Sequence, residues 1–165
     1  ITFKNLNVSN NLIEYSSMNF EFWNNTGMVS DNITVDSNIF RYGGCGFGKQ
    51  RNISHSQENQ AYILAWNDEG GSMTNFKITN NIFDVANCHY FYIPDSTNSK
   101  ITYSGNKYYQ SLDYVKSTVI KGDFTKIKDD NNQILYQGEY SYNLDHFREK
   151  ILLKDPTTTE VYWLD

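Results

Sequence analysis

Four segments of the chain carry one pattern of apolar and polar positions. They are Leu6-Asn-Val-Ser-Asn-Asn-Leu-Ile13, Ile33-Thr-Val-Asp-Ser-Asn-Ile-Phe40, Phe76-Lys-Ile-Thr-Asn-Asn-Ile-Phe83 and Ile101-Thr-Tyr-Ser-Gly-Asn-Lys-Tyr108. Each holds an asparagine (Asn11, Asn38, Asn81, Asn106) with apolar or aromatic residues five and three positions ahead of it. That period-two alternation predicts a short strand with one apolar face running into each asparagine, and a second short strand beginning after it.

The steps from Asn11 to Asn38 and from Asn81 to Asn106 are nearly equal, while the step from Asn38 to Asn81 is much longer. A unit of about 25 residues built of short strands has no room for a long helix, which excludes leucine-rich, ankyrin and tetratricopeptide repeats. It suits one coil of a stacked parallel β-solenoid. Stacking puts each asparagine about 4.8 Å above its equivalent, where the side-chain amides can bond one another in a ladder at a tight turn.

A third strand follows from the same register. Asn19-Phe-Glu-Phe-Trp23 and Tyr62-Ile-Leu-Ala-Trp66 end at the same distance ahead of Asn38 and Asn81 respectively. The matching stretch of the next coil is His89-Tyr-Phe-Tyr-Ile93, with a return shorter by two residues. From Ile1 to Gln110 the sequence therefore resembles the right-handed parallel β-helix proteins of the pectin-lyase-like superfamily, whose three-strand coils stack with asparagine ladders. The resemblance implies an all-β fold, a right-handed parallel β-helix of about four coils, and a secreted or cell-surface protein that acts on polysaccharide. The Asn-Thr-Asp and Gly-His-Gly triplets of the pectin hydrolases are absent, so no catalytic residue carries over by motif.

The long interval locates an insertion. Gly43 to Gln60 replaces a turn of about three residues in the neighbouring coils (Ser16 to Met18, Ala86 to Cys88), and a long loop on a regular scaffold is a common seat of function. Residues 1–110 are read as the coils and 111–165 as a C-terminal capping segment. The cap contains a short helix, Leu144 to Lys150, with Asn143 at its start. An open solenoid end exposes strand edges and core. Nothing comparable to the cap precedes Leu6, so upstream coils of the same precursor or a partner subunit are expected at that end.

Composition narrows the partners. The 21 Asn, 13 Tyr and 10 Phe against two Pro fit many strands and corners. A net charge of −5 gives nucleic acid no basic surface to grip. No apolar run approaches the roughly 20 residues of a membrane-spanning helix. Neither nucleic acid nor membrane is therefore expected as a partner. Cys45 and Cys88 make no disulfide scaffold, no spacing of His, Cys and Asp reads as a metal site, and no cofactor is predicted.

The expected partner is a polysaccharide or oligosaccharide. With Phe20 and Phe22 pointing into the coil, Glu21 and Trp23 point out, followed by Tyr62, Leu64 and Trp66, then His89, Phe91 and Ile93. Trp23, Trp66 and Tyr62 would stack on sugar rings, with Lys49, Arg51 and His55 overhanging from the inserted loop. Hydrolysis of a glycosidic bond needs two carboxyls about 5 to 9.5 Å apart, one protonated and one ionised. Glu21, Glu58, Asp68 and Glu69 are the candidates. A lyase needs instead a base beside a neutralised uronate, a role open to His89, His55, Lys49 or Arg51. Glycoside hydrolysis is the preferred reading; a non-catalytic glycan-binding or adhesin-like module is the alternative, and a polysaccharide lyase the third.

Overall fold

The computed structural model describes residues 1–14, 16, 19–43, 61–86, 89–110, 126–128, 134–137, 154–157 and 162–163. In chain order the first repeat supplies β1 (Thr2–Ser9), β2 (Leu12–Glu14) and β3 (Phe20–Asn24), and the second β4 (Val29–Asp36), β5 (Ile39–Gly43) and β6 (Ala61–Asn67). The third supplies β7 (Ser72–Thr79), β8 (Ile82–Ala86), β9 (His89–Tyr92) and a single-turn helix α1 (Asp95–Asn98). Then come β10 (Ile101–Ser104), β11 (Lys107–Gln110), β12 (Lys126–Lys128), β13 (Ile134–Gln137) and β14 (Tyr162–Trp163). The architecture is all-β.

Each strand of a repeat joins a different parallel sheet and pairs with the strand three places on. The orders are β1-β4-β7-β10, β2-β5-β8-β11-β14 and β3-β6-β9, while β12 and β13 form a separate antiparallel pair. Parallel sheets need both faces protected, and the inward columns supply one of them. Ile33, Phe76 and Ile101 stand level in the first sheet, as do Phe40, Phe83 and Tyr108 in the second. The rings of the second column stack at 5.1 Å centroid spacing with 6° and 5° between planes. Each such contact adds about 1 kcal/mol to the burial itself.

The predicted ladder is present. Asn11 donates from its backbone and side-chain nitrogens to Asn38 Oδ1 (3.0 and 2.9 Å), Asn38 does the same to Asn81 (2.9 and 3.0 Å), and Asn81 to Asn106 (2.9 and 3.1 Å). A second ladder turns the next corner, where Asn24 Nδ2 donates to Asn67 Oδ1 at 2.6 Å and the Asn67 amide donates to Thr97 Oγ1 at 3.0 Å. The first ladder ends on a buried carboxylate. Asp155 accepts from Asn106 Nδ2 at 3.1 Å and from the Tyr108 hydroxyl, and it also binds Thr157.

Two further columns run on the outside. Asn5, Asn32 and Asn75 adopt φ of 60°, 59° and 53°, and each is skipped in the strand register. Asn10, Ser37, Asn80 and Gly105 hold φ of 59°, 56°, 55° and 66° just ahead of the ladder asparagines. Asparagine tolerates this left-handed conformation better than other residues with a Cβ. At Gly105 a Cβ would stand 2.3 Å from Asn80 Oδ1, so a larger residue there would push that amide aside.

Register corrects one expectation. β6 pairs with β9 so that Ala61 is level with His89, Ile63 with Phe91 and Leu64 with Tyr92. Counted to the ladder asparagine that follows, the return from Tyr92 to Asn106 is shorter than that from Leu64 to Asn81 by three residues rather than two. An odd slip reverses which alternate residues face inward. Phe91 and Ile93 accordingly lie in the core and not on an outer face. The inserted loop and the Leu144–Lys150 helix lie outside the described residues.

Candidate functional site

Outward residues of the first sheet are polar because the inward alternates carry its apolar burial. Between the two left-handed columns at the β1–β4 edge the surface sinks into an open trough of about 470 Å³. It is lined by Asn5, Asn7, Ser9, Asn10, Asn32, Thr34 and Asp36, together with Leu6. Amides, hydroxyls and one carboxylate make a surface matched to a ligand rich in hydroxyl groups.

Its members are held in place. Asn32 Nδ2 donates to Asn5 Oδ1 at 2.8 Å, which fixes both amides across one wall. Asp36 accepts from Ser37 Oγ at 2.8 Å, from Asn80 Nδ2 at 2.9 Å and from the Thr79 hydroxyl. These donors, with Thr79 foremost, hold its carboxyl below the usual aspartate range. Asp31, at the far side of Asn32, is likewise held down by Thr74 and Asn75, each at 2.8 Å. Both carboxylates are therefore anions at neutral pH and neither can serve as a proton donor there. They are five residues apart along β4, roughly 16 Å at a strand rise of about 3.3 Å per residue, beyond the span of a glycosidase pair.

The expected aromatic platform is smaller than its sequence reading. Trp23 is level with Trp66, and the two indoles stack at 5.7 Å and 22°. One face of each ring is thereby covered by the other. Trp23 keeps 45% of its surface exposed, and its Nε1 donates to Glu21 Oε1. Tyr62 does not reach the surface: it is fully buried against Phe40 and Phe83, and its hydroxyl donates to Asp84 O at 2.6 Å. A phenol at the start of β6 can fold over the sheet corner into the core, an option that strict alternation does not include.

The acidic candidates are placed as follows. Glu21 is exposed in mid β3, level with Leu64. Asp68 and Glu69 sit in the β6–β7 turn, where the Asp68 amide donates to Asn24 O at 3.0 Å. Asp68 is four residues past Leu64, so its backbone is offset from Glu21 by roughly 13 Å along the strand direction. Glu58, Lys49, Arg51 and His55 lie outside the described residues. Of His89 the structure gives the backbone pairing alone. Among the described residues no group of three or more His, Cys, Asp or Glu could hold a metal ion.

Sequence reasoning missed the trough. Its signal was present, since Asn5, Asn32 and Asn75 stand just ahead of the repeat segments and Asn10 and Asn80 just ahead of ladder residues. Comparisons with protein-family models, curated proteins and solved structures found no match for the chain.

Proposed function

We propose that the three parallel sheets are the faces of a right-handed parallel β-helix, and that this β-helix binds a glycan on its outer surface without cleaving it. The observation that carries the reading is the trough of fixed amides and hydroxyls around Asp36, a carboxylate kept ionised by its hydrogen bonds. Such a site recognises sugar hydroxyls and offers no general acid. The anionic Asp36 and Asp31 and the chain's net charge of −5 favour neutral sugars over uronates. The exposed Trp23 gives a second, stacking contact on another sheet.

Hydrolysis would require a carboxyl held protonated beside an ionised one, and lysis a cation beside a uronate. Neither has a described arrangement to support it, so binding is the reading we adopt. The test is a panel of neutral and uronate oligosaccharides presented to the fluorescently labelled chain, with the bound sugars then examined by mass spectrometry. Binding to neutral oligosaccharides, weakened at least tenfold by Thr34→Val and with the bound sugar recovered intact, is expected. Cleavage of the bound sugar, or affinity untouched by Thr34→Val and Asp36→Asn, would overturn the proposal.

A further inference from the structure

The two ends of the stacked sheets are chemically unlike. At the C-terminal end β14 covers β11, and the asparagine ladder runs into buried Asp155. At the other end β1, β2 and β3 are each the last strand of their sheet and, among the described residues, are paired on one side only. The inward columns are uncovered there: Leu6 is 37% and Phe3 45% exposed, whereas their level partners Ile33 and Ser30 are fully buried.

The first ladder also finishes there, among the described residues, in an unused acceptor on exposed Asn11. The Asn11 side-chain nitrogen faces the following repeat, so its oxygen faces the other way. Asn11 Oδ1 accepts no hydrogen bond among the described residues.

We infer that this end is an interaction surface for one further polypeptide repeat. The incoming repeat runs parallel to β1, β2 and β3 and carries an asparagine at the corner level with Asn11. Its corner amide donates into Asn11 Oδ1, as Asn11 donates into Asn38. Its apolar alternates cover Leu6 and Phe3. Ladder polarity selects this occupant over a second copy of the chain. Two copies meeting head to head would oppose acceptor to acceptor and bring β1 against β1 antiparallel. A head-to-tail copy would have to offer its far end, where Asp155 presents another acceptor and β14 covers the edge.

The chain's own first repeat, Thr2 to Met28, is the probe. Since Thr2 is level with Val29, a tandem chain with Thr2–Met28 duplicated ahead of Thr2 keeps the register of the first two repeats. Hydrogen exchange is followed on the isotopically labelled 165-residue chain with unlabelled Thr2–Met28 peptide, and in parallel on the tandem chain. The exposed-edge amides of β1 are expected to slow at least tenfold in the tandem chain and, at high peptide, in the complex. An Asn11→Ala change in the added repeat should abolish most of that slowing. The inference is overturned if the tandem chain leaves those amides fast, or if the Asn11→Ala repeat protects them equally. A concentration-dependent dimer of the unmodified chain that already protects β1 would overturn it too, by making a second copy the occupant.

Discussion

Replacing Asn81 by alanine tests the ladder where its consequences are largest. The side chain makes four hydrogen bonds: it accepts from Asn38 N and Asn38 Nδ2 at 2.9 and 3.0 Å, and donates to Val35 O and Asn106 Oδ1 at 2.9 and 3.1 Å. At a net value of about 1 kcal/mol each, the loss is about 4 kcal/mol, and water cannot compensate because Asn81 is fully buried. Asn11→Ala is the control, since it belongs to the same ladder but is exposed. Its amide bonds Ser9 O and Asn38 Oδ1 at 3.0 and 2.9 Å, and the Asn11 backbone nitrogen still serves Asn38 after truncation. The expected loss is about 1 kcal/mol or less. Urea unfolding reads the difference: with a slope of about 2 kcal/mol per molar, the midpoint falls by about 2 M for Asn81→Ala and by at most about 0.5 M for Asn11→Ala. Losses equal within about 1 kcal/mol would refute the claim that burial of the ladder, and not asparagine at a turn, is what stabilises it.

The other predictions follow from single contacts. In Gly71→Ala the new Cβ would meet Asn24 O at 2.7 Å and Asn24 Nδ2 at 2.8 Å, so the second ladder must shift. Thermal denaturation should show a loss of about 2 kcal/mol, and an unchanged midpoint would refute the close approach. The Asp36 carboxyl is depressed on folding, so its contribution is present above the ordinary aspartate pKa and is lost as pH falls through the lower folded value. Asp36→Asn should therefore flatten the acid limb of a stability–pH curve below about pH 4, and an unaltered limb counts against the bonding described. The Tyr103 hydroxyl is raised, by burial first and by Asp155 second. Its neutral form favours folding fully below the unfolded value near about pH 10, and that contribution declines as pH climbs beyond it. Tyr103→Phe should lessen the alkaline fall in midpoint temperature, and parallel curves would show that Tyr103 ionises freely in the fold.

Much of the architecture was legible in the sequence because one residue marks each corner. Asn11, Asn38, Asn81 and Asn106 sit where an amide must both donate and accept, and no other side chain of that length does both, so they recur at matched positions. The third sheet was legible only in part. Trp23 and Trp66 did align, but β9 is short and its return differs by an odd number of residues, and an apolar run such as Phe91-Tyr-Ile93 does not declare its inward face. Tyr62 misled for a related reason, since an amphipathic phenol suits either a surface or a core with one buried carbonyl to satisfy. The trough escaped notice because its asparagines lie between the strand positions that alternation scores.

Asparagine does three separate jobs here, and exposure sorts them. Asn24, Asn38, Asn67, Asn81 and Asn106 are buried and bond one another or neighbouring backbone, so they serve the fold and are not free to meet a ligand. Asn5, Asn10, Asn32, Asn75 and Asn80 are exposed in left-handed conformations, where a residue with a longer or branched side chain would be strained by about 1–2 kcal/mol. Their backbone requirement explains asparagine or glycine at these places but not the preference for asparagine, since Gly105 fills the same column without difficulty. What asparagine adds over glycine is an amide at the surface. Asn75 and Asn80 direct theirs onto Asp31 and Asp36, whereas Asn5 has an amide nitrogen with no partner among the described residues, and Asn5 and Asn10 both line the trough. Asn5→Gly and Asn10→Gly keep the backbone geometry and delete only the amide, so they separate the two roles. If the trough binds sugar, these glycine variants should lose affinity by several-fold in the oligosaccharide panel while unfolding at an almost unchanged urea concentration. Retained affinity would mean that the outer asparagines are there for the turns alone.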